Sequence, residues 1–151
     1  MTTTAPLVPS DTSSTAAAVH VVDHTLRRGL LVPGLAASIV AAAAVTLLAA
    51  AANALGVDFE LPDGGDSIPL LGFTQITLMF SIVGLVLAAA LRRWNGRPAA
   101  TFVRVTVALT AISLVPPFLY DANAATALTL VVLHLTAAAI VIPVMARRLA
   151  E

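Results

Sequence analysis

The stretch AATALTLVVLHLTAAAIVIPVMA, Ala124–Ala146, is apolar along its whole length except for three threonines and one histidine, His134. A transmembrane helix needs roughly 20 consecutive apolar residues, and this segment is long enough. We interpret it as the last of four membrane-spanning helices. His134 lies near its middle, which makes it the residue that needs an explanation.

The composition of the whole chain supports a membrane protein. Of its 151 residues, 59% are hydrophobic and only 11% are charged, and the mean hydropathy is strongly positive. A soluble domain of this size could not bury so much apolar surface, so the surrounding solvent must be lipid. The chain has no cysteine, which excludes disulfides, thiolate metal sites and iron–sulfur clusters.

Three more apolar segments precede Ala124–Ala146 in the chain. Short polar turns with Pro, Gly, Asn and Asp separate the segments. The predicted helices cover about residues 30–55, 69–91, 99–120 and 124–146. Short connections between sequential helices are typical of up-and-down packing. We therefore predict an all-α polytopic membrane protein, an antiparallel four-transmembrane-helix bundle over residues 27–151. Residues 1–26, rich in Thr, Ser, Ala and Pro, are predicted to form a disordered cytoplasmic tail.

The charges predict the orientation of this bundle. All eight cations are arginines, and seven flank one set of helix ends: Arg27, Arg28, Arg92, Arg93, Arg97, Arg147 and Arg148. The eighth, Arg104, lies about one turn into the third helix and reaches the same side by snorkelling. The opposite ends carry only acids, namely Asp58, Glu60, Asp63, Asp66 and Asp121. Arginine-rich ends stay on the cytoplasmic side of a membrane. Both termini are therefore predicted to be cytoplasmic, in a multi-pass protein of the plasma membrane.

Small and polar residues recur at helical spacing within the spans. On the first helix these are Gly34, Ser38, Ala42, Ala49 and Asn53. Small residues allow helices to approach closely in lipid, where apolar side chains bring no hydrophobic drive for association. The stripes therefore favour close packing, and the alternative is that they line a path for a ligand or an ion.

His134 should lie near mid-depth in the membrane and face inward, on the same side of its helix as Ala127 and Ala138. A charged imidazolium is unfavourable there, so the ring is expected to be neutral, with one donor and one acceptor that both need partners. Thr46, Ser81 and Thr110 should lie at a similar depth, and the candidate partners are Ser81, Thr110 and Ser113.

Several roles remain open for this histidine. A proton relay would need a second central acid and a bis-histidine haem site a second buried histidine, and neither is present in the spans. The ring could bind a quinone or a lipid head group, or it could simply lock the fourth helix to the third. Asp121, which completes the candidate binding set, is expected to cap the N-terminus of the fourth helix.

Other chemistry is not predicted. The sequence has no nucleophile beside a base and no phosphate-binding glycine loop, so it predicts no enzyme, no cofactor and no metal ion. The expected partners are the lipid bilayer and other membrane proteins or a second copy, but not nucleic acid. The favoured function is a non-enzymatic accessory or envelope component. The alternative is a small transporter or a lipid- or quinone-binding protein, with an outward-half site near His134.

The segments IPLLGFTQ (68–75), FVRV (102–105) with SLVPP (113–117), and HLTAAAIVIP (134–143) resemble a family of small, uncharacterised four-helix membrane proteins of actinobacteria. The resemblance covers about residues 28–149. It implies the four-helix fold and its topology. It implies no activity, because the family is a domain of unknown function.

Overall fold

The computed structural model describes residues 27–59, 67–116 and 124–151, and these residues form four α-helices. A π-helical turn, Arg27–Leu31, leads into the first helix. The helices are α1 Val32–Ala54, α2 Leu70–Trp94, α3 Pro98–Ser113 and α4 Ala124–Ala150. The all-helical prediction with four helices is thus confirmed. The predicted tail, residues 1–26, lies outside the described residues.

Helix α1 lies between α2 and α4 and packs against both. Its buried residues are all small except for one valine: Gly34, Ala37, Ser38, Ala41, Ala42, Val45 and Ala49. They recur every three or four positions, so they form one continuous face of the helix. The predicted small-residue stripe of α1 is therefore buried, apart from Asn53, which is exposed at the end of the helix.

Two hydrophobic clusters hold the helices together. The first, which we call the arginine-end cluster, joins the start of α1 to the end of α2, the start of α3 and the end of α4: Leu30, Leu85, Ala88, Phe102, Met145 and Leu149. The second contains Val45, Ala49, Phe59, Phe73 and Leu133. Each cluster combines residues far apart in sequence, so the two clusters set the register between helices.

The second cluster also anchors the connection between α1 and α2. Phe59 is buried, and its ring meets the ring of Phe73 edge-on, with centroids 5.0 Å apart. Its φ of 47° is unfavourable for a bulky residue. The backbone N–H of Ile68 donates to the carbonyl of Phe59 over 3.1 Å. Burial of the ring and this hydrogen bond together stabilise the strained residue.

Helix α3 is shorter than the sequence predicts. The sequence suggests a helix to about residue 120, but the α-helix ends at Ser113 and Leu114 forms a turn. Two consecutive prolines, Pro116 and Pro117, explain the early end, because proline lacks an N–H and disfavours helical backbone at the residue before it. Residues 117–123 lie outside the described part of the chain.

Three helical segments are long and apolar enough to cross a membrane: Gly29–Ala54, Leu70–Trp94 and Ala124–Ala150. Helix α3 is apolar too, but its 16 residues extend only about 24 Å, less than the roughly 30 Å of a bilayer's hydrocarbon core. Large apolar side chains stay exposed along the three long helices, including Leu47, Leu71 and Leu128. These features indicate a protein embedded in a membrane.

The close packing at Gly34 predicts that a larger residue there lowers the stability of the protein. A methyl group at Gly34 would lie 2.7 Å from Leu85 Cδ1 and 3.0 Å from Met145 Sδ. Gly34→Ala should therefore lower the free energy of unfolding in detergent by about 1–3 kcal/mol through overpacking.

Gly84 in α2 provides the matched control. Apart from the helix's own nearby backbone, no atom of the described residues lies within 4 Å of the position that its Cβ would take. Gly84→Ala should leave stability unchanged or raise it by up to about 1 kcal/mol, because alanine is the better helix former. Equal effects of the two substitutions would contradict the close α1 packing described above.

Candidate functional site

His134 lies at the seam between α3 and α4, and its side chain is partly exposed. This differs from the inward position expected from the sequence. The buried face of α4 passes through Ala127, Leu133, Met145 and Leu149. His134 follows Leu133 directly and so is rotated about 100° from it. At this turn of α4, Leu133 is the residue that packs into the core, and His134 lies to one side of it.

Ser113 is the partner of His134. Its Oγ lies 2.9 Å from His134 Nε2 and also 2.9 Å from the carbonyl oxygens of Leu109 and Thr110. The hydroxyl has one proton. When it donates to a carbonyl, Oγ accepts from the Nε2–H of the histidine. When it donates to Nε2, the ring proton must be on Nδ1.

Both arrangements leave Nδ1 without a hydrogen-bond partner among the described residues. Nδ1 is then either a free acceptor or a free donor on a partly exposed ring. An unpaired polar atom is unfavourable in the hydrocarbon of a bilayer. This nitrogen is therefore a group of the histidine that can bind another molecule.

The other candidate site residues are placed differently. Ser81 is buried on α2, and no hydrogen bond joins it to His134 within the described part of the chain. Thr110 contributes its backbone carbonyl to Ser113, so its contact with the histidine is indirect. Asp121 lies outside the described residues. Of the predicted set, the structure brings Ser113 and His134 into direct contact.

A second polar contact, which the sequence reasoning did not single out, joins α1 to α2. Thr46 Oγ1 and Thr74 Oγ1 are 2.6 Å apart, and Thr46 Oγ1 lies 2.8 Å from the carbonyl of Ala42. If Thr46 donates to that carbonyl, Thr74 donates to Thr46. Thr46 interrupts a run of alanine and leucine, which is the sequence signal that could have marked it.

This threonine pair lines an open groove on the outside of the molecule. The other lining residues are apolar: Ile39, Ala42, Ala43, Leu47 and Leu78. The two hydroxyls already bond to each other, so the groove offers little to a polar ligand. It is suited to an acyl chain, as is the rest of the apolar surface.

Metal binding has no support in the part of the chain that the structure describes, since no group of three or more His, Asp or Glu side chains comes together there. Several side-chain hydroxyls of that part bond to a carbonyl of their own helix. Ser38 donates to the carbonyl of Gly34, Thr106 to that of Phe102 and Thr129 to that of Ala125. A hydroxyl bonded in this way is a poor nucleophile without a nearby base.

Comparison with known proteins gives one result. A family model described as "Family of unknown function (DUF6069)" matches residues 25–151. Comparison with curated proteins and with solved structures finds no significant match.

The hydrogen bond between Ser113 and His134 can be measured by a double-mutant cycle. Ser113→Ala and His134→Ala should each lower stability in detergent, with a coupling energy of about 0.6 kcal/mol, the average for such bonds in a membrane protein. The measurement is the free energy of unfolding of both single variants and of the double variant.

Thr106→Val supplies the control cycle with His134→Ala. Thr106 lies seven residues before Ser113 on α3, about 10 Å along the helix, and its hydroxyl bonds to its own helix. Its coupling with His134 should be close to zero. A Ser113–His134 coupling no larger than this control would show that the contact does not stabilise the protein.

Proposed function

Because the chain belongs to the DUF6069 family of unknown function, we propose that it is a non-enzymatic integral membrane protein of the bacterial cytoplasmic membrane. Its role would be that of an accessory or envelope component. The observation that carries this proposal is the apolar outer surface of the three long helices. Val32, Phe80 and Val132 are each more than half exposed, one on each of these helices. Contiguous surfaces of this kind are suited to lipid and unfavourable in water.

The proposed topology is an antiparallel four-transmembrane-helix bundle. It is supported by the pairs that join α1 to α2, since Gly34 faces Leu85 and, further along α1, Thr46 faces Thr74. Residue numbers rise along α1 while those of the partners fall along α2. A crossing by α3 belongs to the same proposal. Because α3 is only about 24 Å long, it needs local thinning of the bilayer or a contribution from the residues that follow it.

The proposed orientation places both termini in the cytoplasm. The arginines at the ends of α2 and α4, and Arg97 at the start of α3, support this orientation under the positive-inside rule. The lipid bilayer is the principal proposed partner, together with other membrane proteins or a second copy of the chain. Nucleic acid is not a proposed partner. The absence of enzymatic activity is proposed because Ser113, whose hydroxyl contacts His134, also bonds to two helix carbonyls, and no described residue orients the other nitrogen of that histidine.

A second candidate function is a small transporter or a lipid- or quinone-binding protein. The observation that favours it is the partly exposed ring of His134, held by Ser113 through Nε2. Its other nitrogen could bond the carbonyl of a quinone or a lipid head group. Thr129 and Thr136 offer no competing partner, because each bonds a carbonyl of α4.

The orientation can be tested with single-cysteine variants, since the natural chain has no cysteine. Leu55, at the end of α1, is 86% exposed, and Trp94, at the end of α2, is 79% exposed. On whole cells or spheroplasts, Leu55→Cys should react with a membrane-impermeant maleimide and Trp94→Cys should not. Both should react after the membrane is permeabilised. The reverse pattern would overturn the orientation, and equal labelling in intact cells would contradict a membrane crossing by α2.

The two candidate functions differ in what His134→Ala changes. An accessory component should lose some thermal stability but no co-purifying small molecule, as measured by native mass spectrometry. A binding protein should lose a retained molecule while its stability stays near that of the natural protein. Thr136→Val, two residues further along α4, serves as the control for a general disturbance of that helix.

A further inference from the structure

One end of the molecule carries a strong excess of positive charge. The arginine-end cluster gathers the start of α1, the end of α2, the start of α3 and the end of α4. Six arginines whose side chains the structure describes lie at this end: Arg92, Arg93, Arg97, Arg104, Arg147 and Arg148. Within that part of the chain, the ion pair at this end joins Arg148 to Glu151 at 3.1 Å. The other five arginines have no carboxylate partner there.

Arg92 differs from the other arginines in its position. Its Nη1 lies 3.4 Å, and its Nη2 4.0 Å, from the point where a Cβ on Gly29 would be. The guanidinium therefore lies against the bare backbone that begins the apolar segment Gly29–Ala54. Arg92 is half-buried there, whereas the adjacent Arg93 is exposed.

The guanidinium of Arg92 lies beside Gly29 and has no acceptor among the described residues, although it has five N–H donors. Its planar fork matches two oxygens of a phosphate group. A half-buried arginine at the end of an apolar helix is at the depth where lipid phosphates lie.

The surface of α1 beyond Gly29 favours a lipid over a free anion. Val32, Ala36 and Val40 follow Gly29 at helical spacing on one face of α1, and all three are exposed. An acyl chain can lie along these side chains while its phosphate meets the guanidinium. A free phosphate would gain nothing from them.

We propose that Arg92, lying over Gly29 beside the arginine-end cluster, binds the phosphate of an anionic phospholipid whose acyl chains pack on the exposed face of α1 that follows Gly29. The site gives the protein a preference for anionic over zwitterionic lipid. This inference rests on the proposed membrane location and adds a specific ligand class to it.

The test uses the full chain in nanodiscs that contain equal amounts of phosphatidylglycerol and phosphatidylcholine. After release into detergent, native mass spectrometry measures the lipids that stay bound. Phosphatidylglycerol should be retained several-fold over phosphatidylcholine. Arg92→Gln should abolish this preference, whereas Arg93→Gln, an identical change of charge at the next residue, should preserve it.

A second variant separates geometry from charge. Gly29→Leu keeps every arginine but fills the space against which the guanidinium lies, so it should also weaken the preference. Gly29→Ala, whose single methyl fits at 3.4 Å from Nη1, should have little effect. Circular dichroism of each variant checks that the helices are intact.

Three results would overturn the proposal. The first is equal retention of the two lipids by the natural protein. The second is an equal loss from Arg92→Gln and Arg93→Gln, which would indicate only diffuse attraction. The third is displacement of the bound lipid by inorganic phosphate, which would identify a free anion as the ligand. Failure of the natural protein to enter these nanodiscs would instead count against the membrane location.

Discussion

The close approach of α2 and α4 to the small-residue face of α1 is the constraint on which the rest of the structure depends. Apolar side chains bring no net hydrophobic drive for association in a bilayer, so van der Waals contact between closely spaced helices must hold them. Gly34 shows how tight this contact is, because an added methyl would overlap with Leu85 and Met145. The alanines that follow keep the same spacing along the helix. One small-residue face thus determines where two neighbouring helices lie.

The position of α3 follows from this arrangement. With α2 and α4 both packed on α1, α3 packs chiefly on α4 at the edge of the molecule and fully buries only Phe102. Its end, near the proline pair, is where Ser113 meets His134. A polar contact at such a seam performs two tasks, since it joins a peripheral helix to its neighbour and satisfies one nitrogen of a histidine inside an apolar helix. The other ring nitrogen, Nδ1, is the unusual feature of the site, because it has no hydrogen-bond partner among the described residues.

The two ends of the molecule differ in chemistry, and this difference matters more for function than the helices alone. Near the arginine-end cluster, cations outnumber acids and Arg92 lies against the backbone. At the opposite end, Phe59 and Phe73 close the connection between α1 and α2 by aromatic packing. A molecule with such unequal ends and apolar sides has a natural direction in a membrane. The family to which the chain belongs has no known function. The difference between the two ends and the Ser113–His134 contact are therefore the physical features from which a role can be inferred.

Sequence alone determined the class of the fold, the existence of four helices, the buried stripe of α1 and the separation of charge. These properties are local, because composition, helical periodicity and turn residues act within a segment or its immediate neighbours. It also identified Ser113 among the candidate partners of His134. It could not choose between Ser113, Ser81 and Thr110.

Tertiary structure decided that choice, because a change of one residue rotates a side chain by about 100° around its helix. Leu133 therefore fills the core where the sequence suggested His134, and the histidine moves to the seam. For the same reason, the sequence alone did not predict the Thr46–Thr74 hydrogen bond or the position of Arg92 over Gly29. Each of these contacts joins residues that are distant in sequence and depends on how two helices are rotated against each other. Local patterns specify which faces are small, apolar or charged, whereas only the packing of whole helices specifies which two faces meet.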